Sequence, residues 1–255
     1  HKMKMKFLSG GRLKMSKRIF VPTSSREEKI DLPVISTLIQ YKKTNILFDT
    51  GCHPDVQFKS EKRWGNLAKI MTPIGTTNDN LILNLKKNNV KPTDIDLVIN
   101  SHLHPDHCGC NEFFINAEFM CSSEELKVAK SKDAESKGYI VNEWHHPMPL
   151  KEINSFYDIF DDGRLITMPL PGHTPGTIGL HVNTDKDGKF IIVSDAVSLE
   201  RNIKNDEIPK NAWDKDLLLK SYNELRLLET KGYKLIYGHD DKQWQYLNKT
   251  DKTYE

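Results

Sequence analysis

One short segment concentrates side chains that can ligate metal ions. Residues 101–109 read Ser-His-Leu-His-Pro-Asp-His-Cys-Gly, which supplies three imidazoles and one carboxylate from His102, His104, Asp106 and His107. Neutral imidazole and carboxylate are ligands that zinc and other borderline first-row ions prefer. His102 and His104 point to the same side of an extended chain, and Pro105 turns the chain before Asp106. The segment therefore predicts a metal site that could serve two neighbouring ions.

Three further residues with the same chemistry follow predicted strands. The sequence places them in Pro-Gly-His-Thr-Pro-Gly, Ser-Asp-Ala and Gly-His-Asp, at His173, Asp195 and His239. Strand ends are where open α/β folds place their chemistry, and the glycines before the two histidines suit tight turns. A single histidine or aspartate after a strand is more often a capping or hydrogen-bonded residue. The shared placement of all three favours a common role with the 101–109 segment.

Apolar periodicity predicts the elements that position these residues. Short apolar runs predict strands over 34–40, 45–48, 97–100, 165–169, 178–182, 190–193 and 235–237. Helical spacing with capping residues predicts helices over 80–88, 123–130 and 215–229. Asn78 or Asp79 is the expected cap of the first helix, and Asp214 that of the last. The segment 131–162 shows no clear period. Strands and helices in both halves predict an α/β (α+β) fold with mixed sheets covered by helices.

Composition excludes several other classes of protein. The 37 basic and 35 acidic residues are mixed along the chain and leave a net charge of +2, so no field points to nucleic acid or to an anionic membrane. No apolar stretch is long enough to span a bilayer, and the basic N-terminus lacks the apolar core of a signal peptide. Four cysteines without a Cys-x-x-Cys pair predict a reducing, cytoplasmic setting.

The order of these motifs resembles the metallo-β-lactamase superfamily. His-x-His-x-Asp-His, Pro-Gly-His-Thr-Pro-Gly, Ser-Asp and Gly-His follow one another as in that family, from about residue 33 to residue 239. Leu-Pro-Val at 32–34, Leu-Phe-Asp-Thr-Gly-Cys-His-Pro at 47–54 and Gly-His-Asp-Asp at 238–241 look most like the N-acyl-homoserine-lactonase group. The resemblance implies a four-layer αβ/βα sandwich. We expect one domain over 1–255, with a core over about 33–240 and an N-terminal extension over 1–32.

The same resemblance implies a role for each candidate ligand. His102, His104 and His173 would hold one divalent ion, Asp106, His107 and His239 the second, and Asp195 would bridge them. Zinc is the expected metal, with iron, manganese and cobalt as alternatives. Asp49 matches a family carboxylate that supports the ligands from behind, although a turn aspartate that bonds its own backbone is an equal alternative.

The predicted reaction is hydrolysis of a lactone or a related ester. A hydroxide shared by two ions would attack the carbonyl, and Asp106 would pass a proton to the leaving alkoxide. The best-known lactonases carry a tyrosine three residues after the bridging aspartate, where this chain has Ser198. Ser198 is thus a candidate substrate contact with a shorter reach. Five further residues have side chains that could take part in the chemistry but have no assigned role, and surface or core packing is the simpler interpretation for them: Cys108, His53, Trp64, His145 and His146.

Other functions remain open at this stage. A thioester hydrolase of the glyoxalase II type uses a similar cluster but adds a helical C-terminal domain, for which the 16 residues after His239 leave no room. Nuclease relatives need a basic surface or an inserted domain, and flavin-linked di-iron relatives carry a carboxylate where this chain has His104. A non-catalytic metal-binding or sensor protein of the same fold is the alternative from another class. Relatives of this kind are often dimers, so a homodimer that acts on a small molecule is expected.

Overall fold

Two β-sheets form the centre of the fold. The computed structural model describes residues 2–154 and 156–255. The strands in chain order are β1 Lys4–Ser16, β2 Lys29–Tyr41, β3 Thr44–Phe48, β4 Thr72–Pro73, β5 Leu97–Ile99, β6 Glu118–Ser122, β7 Leu150–Ile153, β8 Tyr157–Asp158, β9 Leu165–Pro169, β10 Ile178–Asn183, β11 Lys189–Ser194 and β12 Lys234–Tyr237. The α-helices are α1 Val56–Trp64, α2 Leu81–Lys87, α3 Pro105–Cys108, α4 Ser123–Ala129, α5 Val141–Trp144, α6 Glu200–Lys204, α7 Lys215–Thr230 and α8 Asp241–Thr250.

Each sheet mixes parallel and antiparallel pairs. The larger sheet has the order β4-β1-β2-β3-β5-β6-β7, in which β3, β5, β6 and β7 run parallel. The smaller sheet has the order β12-β11-β10-β9-β8, in which only the β11–β12 pair is parallel. The predicted strands over 34–40 and 45–48, and over 178–182 and 190–193, form the antiparallel hairpins β2–β3 and β10–β11. The seven candidate ligands follow the carboxyl ends of β5, β9, β11 and β12.

The sheets face each other across an apolar core, and helices cover their outer faces. The central cluster joins residues of the larger sheet such as Phe48 and Ile99 to residues of the smaller sheet such as Leu180. α2 packs Leu81 and Leu85 on the outside of the larger sheet, and α7 packs its apolar stripe on the outside of the smaller one. This is the predicted α/β (α+β) fold, a four-layer αβ/βα sandwich, and the prediction is confirmed. No helix of the described residues is long and apolar enough to cross a membrane.

The N-terminal segment differs from its predicted place outside the core. Within the predicted extension 1–32, Lys4–Ser16 forms β1, which pairs with β2 along its length and lies inside the larger sheet. Met3, Met5 and Phe7 are buried while Lys4 is exposed, which is the alternation of a strand with one face on the core. Exposed lysines alternate with the buried residues of this segment, so the sequence resembles a charged extension more than a strand.

Smaller differences concern caps and the segment without a period. Asn80, rather than Asn78 or Asp79, caps α2 by accepting a hydrogen bond from the Leu83 amide, because Asp79 closes a short 3₁₀ turn before it. Asp214 caps α7 as predicted. The segment 131–162 contains α5, β7 and β8, which are too short to show a period.

Candidate metal centre

The seven candidate ligands meet at one edge of the paired sheets. The chain leaves β5 in an extended stretch through His102 and His104, and Pro105 then starts α3, which presents Asp106 and His107. Asp195 follows β11, and His239 follows β12. The donor atoms fall into two sets, each lying within 4.8 Å, which we name the three-histidine group (His102, His104, His173) and the four-residue group (Asp106, His107, Asp195, His239). All are buried except His104, which is half-buried.

Asp195 lies between the two groups. Its Oδ2 is 3.2 Å from His107 Nε2 and 3.3 Å from His173 Nε2, one histidine of each group. Its Oδ1 lies 3.0 Å from His239 Nε2. The backbone of the residue before it has a positive φ of 51°, and a Cβ on Gly238 would lie 2.6 Å from Asp195 Oδ1. The carboxylate is thus held in a tight turn from which it reaches both groups.

Buried donor atoms fit two divalent cations. His102 Nε2, His107 Nε2 and Asp195 Oδ1 are buried without a hydrogen bond of normal geometry in the described part of the chain. A buried polar atom without a partner costs free energy, so such atoms call for a ligand. Imidazole nitrogens and carboxylate oxygens in sets of three and four are the donor set of zinc and similar ions. The residues present therefore fit a pair of divalent metal ions.

Hydrogen bonds to the opposite ring nitrogens orient the imidazoles. His107 Nδ1 donates to Asp49 Oδ2 at 2.9 Å, and His239 Nδ1 donates to the Pro33 carbonyl at 2.8 Å. Asp49 also accepts from the amide and hydroxyl of Ser101, at 2.6 and 2.7 Å. Asp49 therefore bonds a ligand and the strand end behind it, not its own backbone. Such partners fix which ring nitrogen faces the metal.

Glu125 fixes the chain segments that carry the three-histidine group, and its role was not predicted from the sequence. Its side chain is fully buried at 0% exposure and accepts from the Leu103 amide at 2.9 Å, between His102 and His104. It also accepts from Thr174 Oγ1 at 2.7 Å and from the Gly176 amide, in the loop that carries His173. The helical pattern over 123–130 does not predict this role, because the partners of Glu125 come from loops that are distant in the sequence.

Tyr139 connects Glu125 to His104. The Tyr139 hydroxyl donates to Glu125 Oε2 at 2.7 Å, and its ring lies 4.8 Å from the ring of His104. His104 Nε2 donates to the Lys137 carbonyl at 3.0 Å, which leaves Nδ1 for the centre. His104 is therefore oriented by a loop and not by a strand end.

Charges within the centre divide the imidazoles into two kinds. Burial lowers the pKa of His102 well below its usual value and that of His173 to about 4, so both are neutral and able to ligate. Burial acts in the same direction on His107, but the carboxylates Asp106 and Asp195 outweigh it and raise the pKa of His107. Two carboxylates beside one imidazole form a strongly negative pocket, which favours a cation.

A cavity of about 520 Å³ opens onto the centre. One wall is apolar and is lined by Met15, Ile19, Phe20, Leu67, Ile70 and Met71. The polar part of the lining consists of Ser136, Lys137, Lys210 and Asn211, and the lining also includes ligands of both groups, which we name the floor. Ser198, the predicted substrate contact, is buried and does not line this cavity. Its carbonyl instead accepts from the His239 amide at 2.8 Å, so the position supports a ligand's backbone.

The remaining candidates lie away from the two donor groups. His53 Nε2 contacts Glu112 at 3.2 Å, His146 bonds the Glu143 carbonyl, and His145 is exposed. Cys108 is buried, its thiol faces backbone carbonyls, and burial raises its pKa well above the usual range. Trp64 is buried and lines a separate cavity. Packing, the simpler interpretation, accounts for these residues.

Known proteins resemble this chain over nearly its whole length. Residues 30–239 match the metallo-beta-lactamase superfamily. An N-acyl homoserine lactonase AiiB of Rhizobium rhizogenes is 30% identical over 89% of this chain and 86% of its own, and an N-acyl homoserine lactonase of a Bacillus species is 29% identical over 94% of each.

Solved structures agree with this assignment. A crystal structure of a quorum-quenching N-acyl homoserine lactone hydrolase superposes with a TM-score of 0.80 at 25% identity, over 94% of this chain and 93% of that one. The two chains therefore share the same fold over nearly their whole length. The chain belongs to the metallo-beta-lactamase superfamily and, within it, to the N-acyl homoserine lactonase group.

Proposed function

We propose that this protein opens the ring of N-acyl-homoserine-lactone-type substrates with two zinc ions at the seven-residue centre. The protein is a metal-dependent hydrolase, and lactone hydrolysis is the activity that its relatives carry in their names. The observation that supports the proposal most strongly is the apolar-walled cavity whose floor is formed by both donor groups. It accommodates an acyl chain while the ester carbonyl lies over the centre.

The proposed roles of the ligands follow from their positions. When metal is bound, His102, His104 and His173 would hold one ion, Asp106, His107 and His239 would hold the other, and Asp195, which lies between the two groups, would be shared. Bound divalent ions supply an acidified water as nucleophile and polarise the ester carbonyl. Asp49 and Glu125 keep the imidazoles in place during the reaction, so that little reorganisation accompanies the build-up of negative charge.

Asp106 is the residue that we propose for proton transfer. Its carboxylate lines the cavity, and although burial opposes ionisation, the nearby His107 and His239 lower its pKa to about 2. It therefore starts as a carboxylate, accepts a proton from the attacking water and returns it to the leaving alkoxide oxygen. The acyl carbon–oxygen bond of the ring breaks, water adds across it, and the product is a hydroxy acid.

Metal-loaded protein incubated with N-decanoyl homoserine lactone tests the proposal directly. We expect the mass of one water to be added, loss of turnover on chelation, and recovery when zinc returns. Hydrolysis of thioesters without lactones would indicate the glyoxalase II alternative. Two bound metals without hydrolysis of lactones, esters or thioesters would indicate the sensor alternative.

The proposal also covers the binding partners of the protein and its cellular compartment. The substrate is a small molecule, and a homodimer is the assembly that we expect. The free cysteines of the described chain, all four of them buried, support a reducing cytoplasmic setting.

A further inference from the structure

The loop between α6 and α7 is fixed to both sides of the active-site cavity. The Lys210 amide donates to the Ile19 carbonyl at 2.7 Å, on the apolar wall. Three residues later, the Trp213 amide donates to the His173 carbonyl at 3.2 Å, in the three-histidine group. Residues 210–213 therefore run from the apolar wall to the metal centre, and Lys210 and Asn211 line the cavity between them.

Lys210 has no acidic partner, because the carboxylates of its loop are engaged elsewhere. Asp206 pairs with Arg226, and Glu207 pairs with Arg201 at 2.9 Å. Asp214 accepts from the Leu217 amide as the cap of α7. Across residues 2–154 and 156–255, Lys210 forms no ion pair. The other lysine on the cavity, Lys137, already pairs with Asp133 at 3.1 Å. Lys210 is thus an exposed residue of the cavity lining whose ammonium group has no ion-pair partner among the described residues.

A second cationic residue without an ion pair among the described residues, Arg18, lies next to Ile19 in the sequence. Arg18 immediately precedes Ile19, whose carbonyl binds the Lys210 amide. Its Nε is buried without a hydrogen bond, and in the described part of the chain the guanidinium forms no ion pair. A buried donor of this kind costs free energy unless another group satisfies it. Two cationic residues without an ion pair in the described part of the chain therefore lie at the hydrogen bond that joins the Lys210 amide to the Ile19 carbonyl.

We propose that Lys210 is a specificity-determining residue that favours esters or lactones with an anionic group, such as a carboxylate, close to the scissile bond over otherwise equal neutral substrates. The inference rests on the proposed function and adds a charge preference to the turnover of the neutral N-acyl homoserine lactones. The apolar wall takes the acyl chain, and the loop position between Ile19 and His173 sets the anion beside the reacting ester rather than at the far end of the chain. A charge at the rim steers and orients such a substrate. Ser198 does not line the cavity, and the other lysine that does, Lys137, is paired with Asp133, which leaves Lys210 for this role.

A matched pair of esters tests the inference. Carboxymethyl decanoate and carbamoylmethyl decanoate share the acyl chain and the ester and differ in one negative charge. Lys210→Met should lower kcat/KM for the charged ester about fivefold to tenfold more than for the neutral one. The wild-type preference for the charged ester should shrink as salt is added. The control Lys220→Met, at an exposed position on α7, should keep the wild-type ratio.

Binding measurements keep the test independent of turnover. N-decanoylglycine and N-decanoylglycinamide differ by the same charge, and their Kd values are measured calorimetrically with the zinc-loaded protein. We expect Lys210→Met to weaken the glycine compound about fivefold to tenfold relative to the amide. An equal effect of the substitution on both compounds, or none, overturns the inference. Wild type that hydrolyses no ester but shows the charge-dependent binding would contradict the proposed function and leave the role of Lys210 in recognition supported.

Discussion

The two donor groups differ in what holds them. The four-residue group is buried at every member and is tied to the sheets, through Asp49 behind His107 and the β2 carbonyl of Pro33 behind His239. The three-histidine group has a half-buried member, His104, which is held by the Lys137 carbonyl and the Tyr139 ring. Glu125 is the buried carboxylate that ties its loops together. The comparison teaches that strand ends orient the four-residue group, whereas the three-histidine group has a strand-end contact only at His102, through Ser101, and otherwise depends on Glu125 and a loop.

The largest expected effect comes from removing the residue that the groups share. Asp195→Ala should lower kcat/KM by about a thousandfold or more, because the developing charge is no longer held between two ions. Metal content, measured by mass spectrometry of the purified protein, should fall below two ions per chain. Asp216→Ala, at an exposed position on α7, should behave as the wild type. Full metal content with wild-type activity in Asp195→Ala would show that Asp195 is not a metal ligand.

Much of this centre was predictable because its residues follow strand ends in a recognisable order. All seven side chains come together where β5, β9, β11 and β12 end. Short apolar runs in the sequence predict each of these strands. Glu125 was not predictable in this way, since its four partners lie on loops that meet only in the folded chain. β1 was missed because lysines alternate with its buried methionines, and the exposed charges hid the pattern.

Asp49→Asn should weaken the four-residue group more than the other, because Asp49 bonds His107 directly and reaches His102 only through Ser101 Oγ, 3.0 Å from His102 Nδ1. Replacing a carboxylate that accepts from a ligating histidine typically costs about 10- to 100-fold in metal affinity. Competition with a fluorescent zinc chelator should show one site weakened by that factor and the other affected less. Asp55→Asn, at an exposed position, is the matched control. Equal weakening of both sites would mean that Asp49 supports the whole edge of the sheet.

Glu125→Gln should have the complementary effect on the three-histidine group. The amide leaves one of the converging donors without an acceptor, so we expect about a 10-fold loss of affinity at one zinc site. The neighbouring variant Glu124→Gln, which is exposed, serves as the control. Chelator competition decides the result, and circular dichroism reports whether the variant is folded. Loss at the same site in Glu125→Gln and Asp49→Asn would contradict the division into two separately anchored groups.

The smallest expected effect concerns the pH dependence of the protein's stability, through Glu143 in α5. Burial raises the pKa of Glu143 to about 7, against the attraction of Arg63. The folded state then holds a proton that the unfolded chain releases, so this group's stabilisation is present at low pH and is lost as pH rises towards 7 and above. The free energy of unfolding should fall by about 1 kcal/mol between pH 6 and pH 8 from this group.

Glu143→Gln cannot ionise and should flatten that part of the profile. Urea unfolding at pH 6 and pH 8 measures the difference, with Glu135→Gln, at an exposed position, as the control. A Glu143→Gln profile that still falls as steeply as the wild type would assign the pH dependence to other groups.

Anomalous diffraction from crystals of the zinc-loaded protein tests the central claim most directly. Data collected above and below the zinc absorption edge locate each ion without reference to any expected position. We predict two peaks per chain, one among His102, His104 and His173 and one among Asp106, His107 and His239, with Asp195 within bonding distance of both. A single peak, or peaks away from these side chains, would contradict the account.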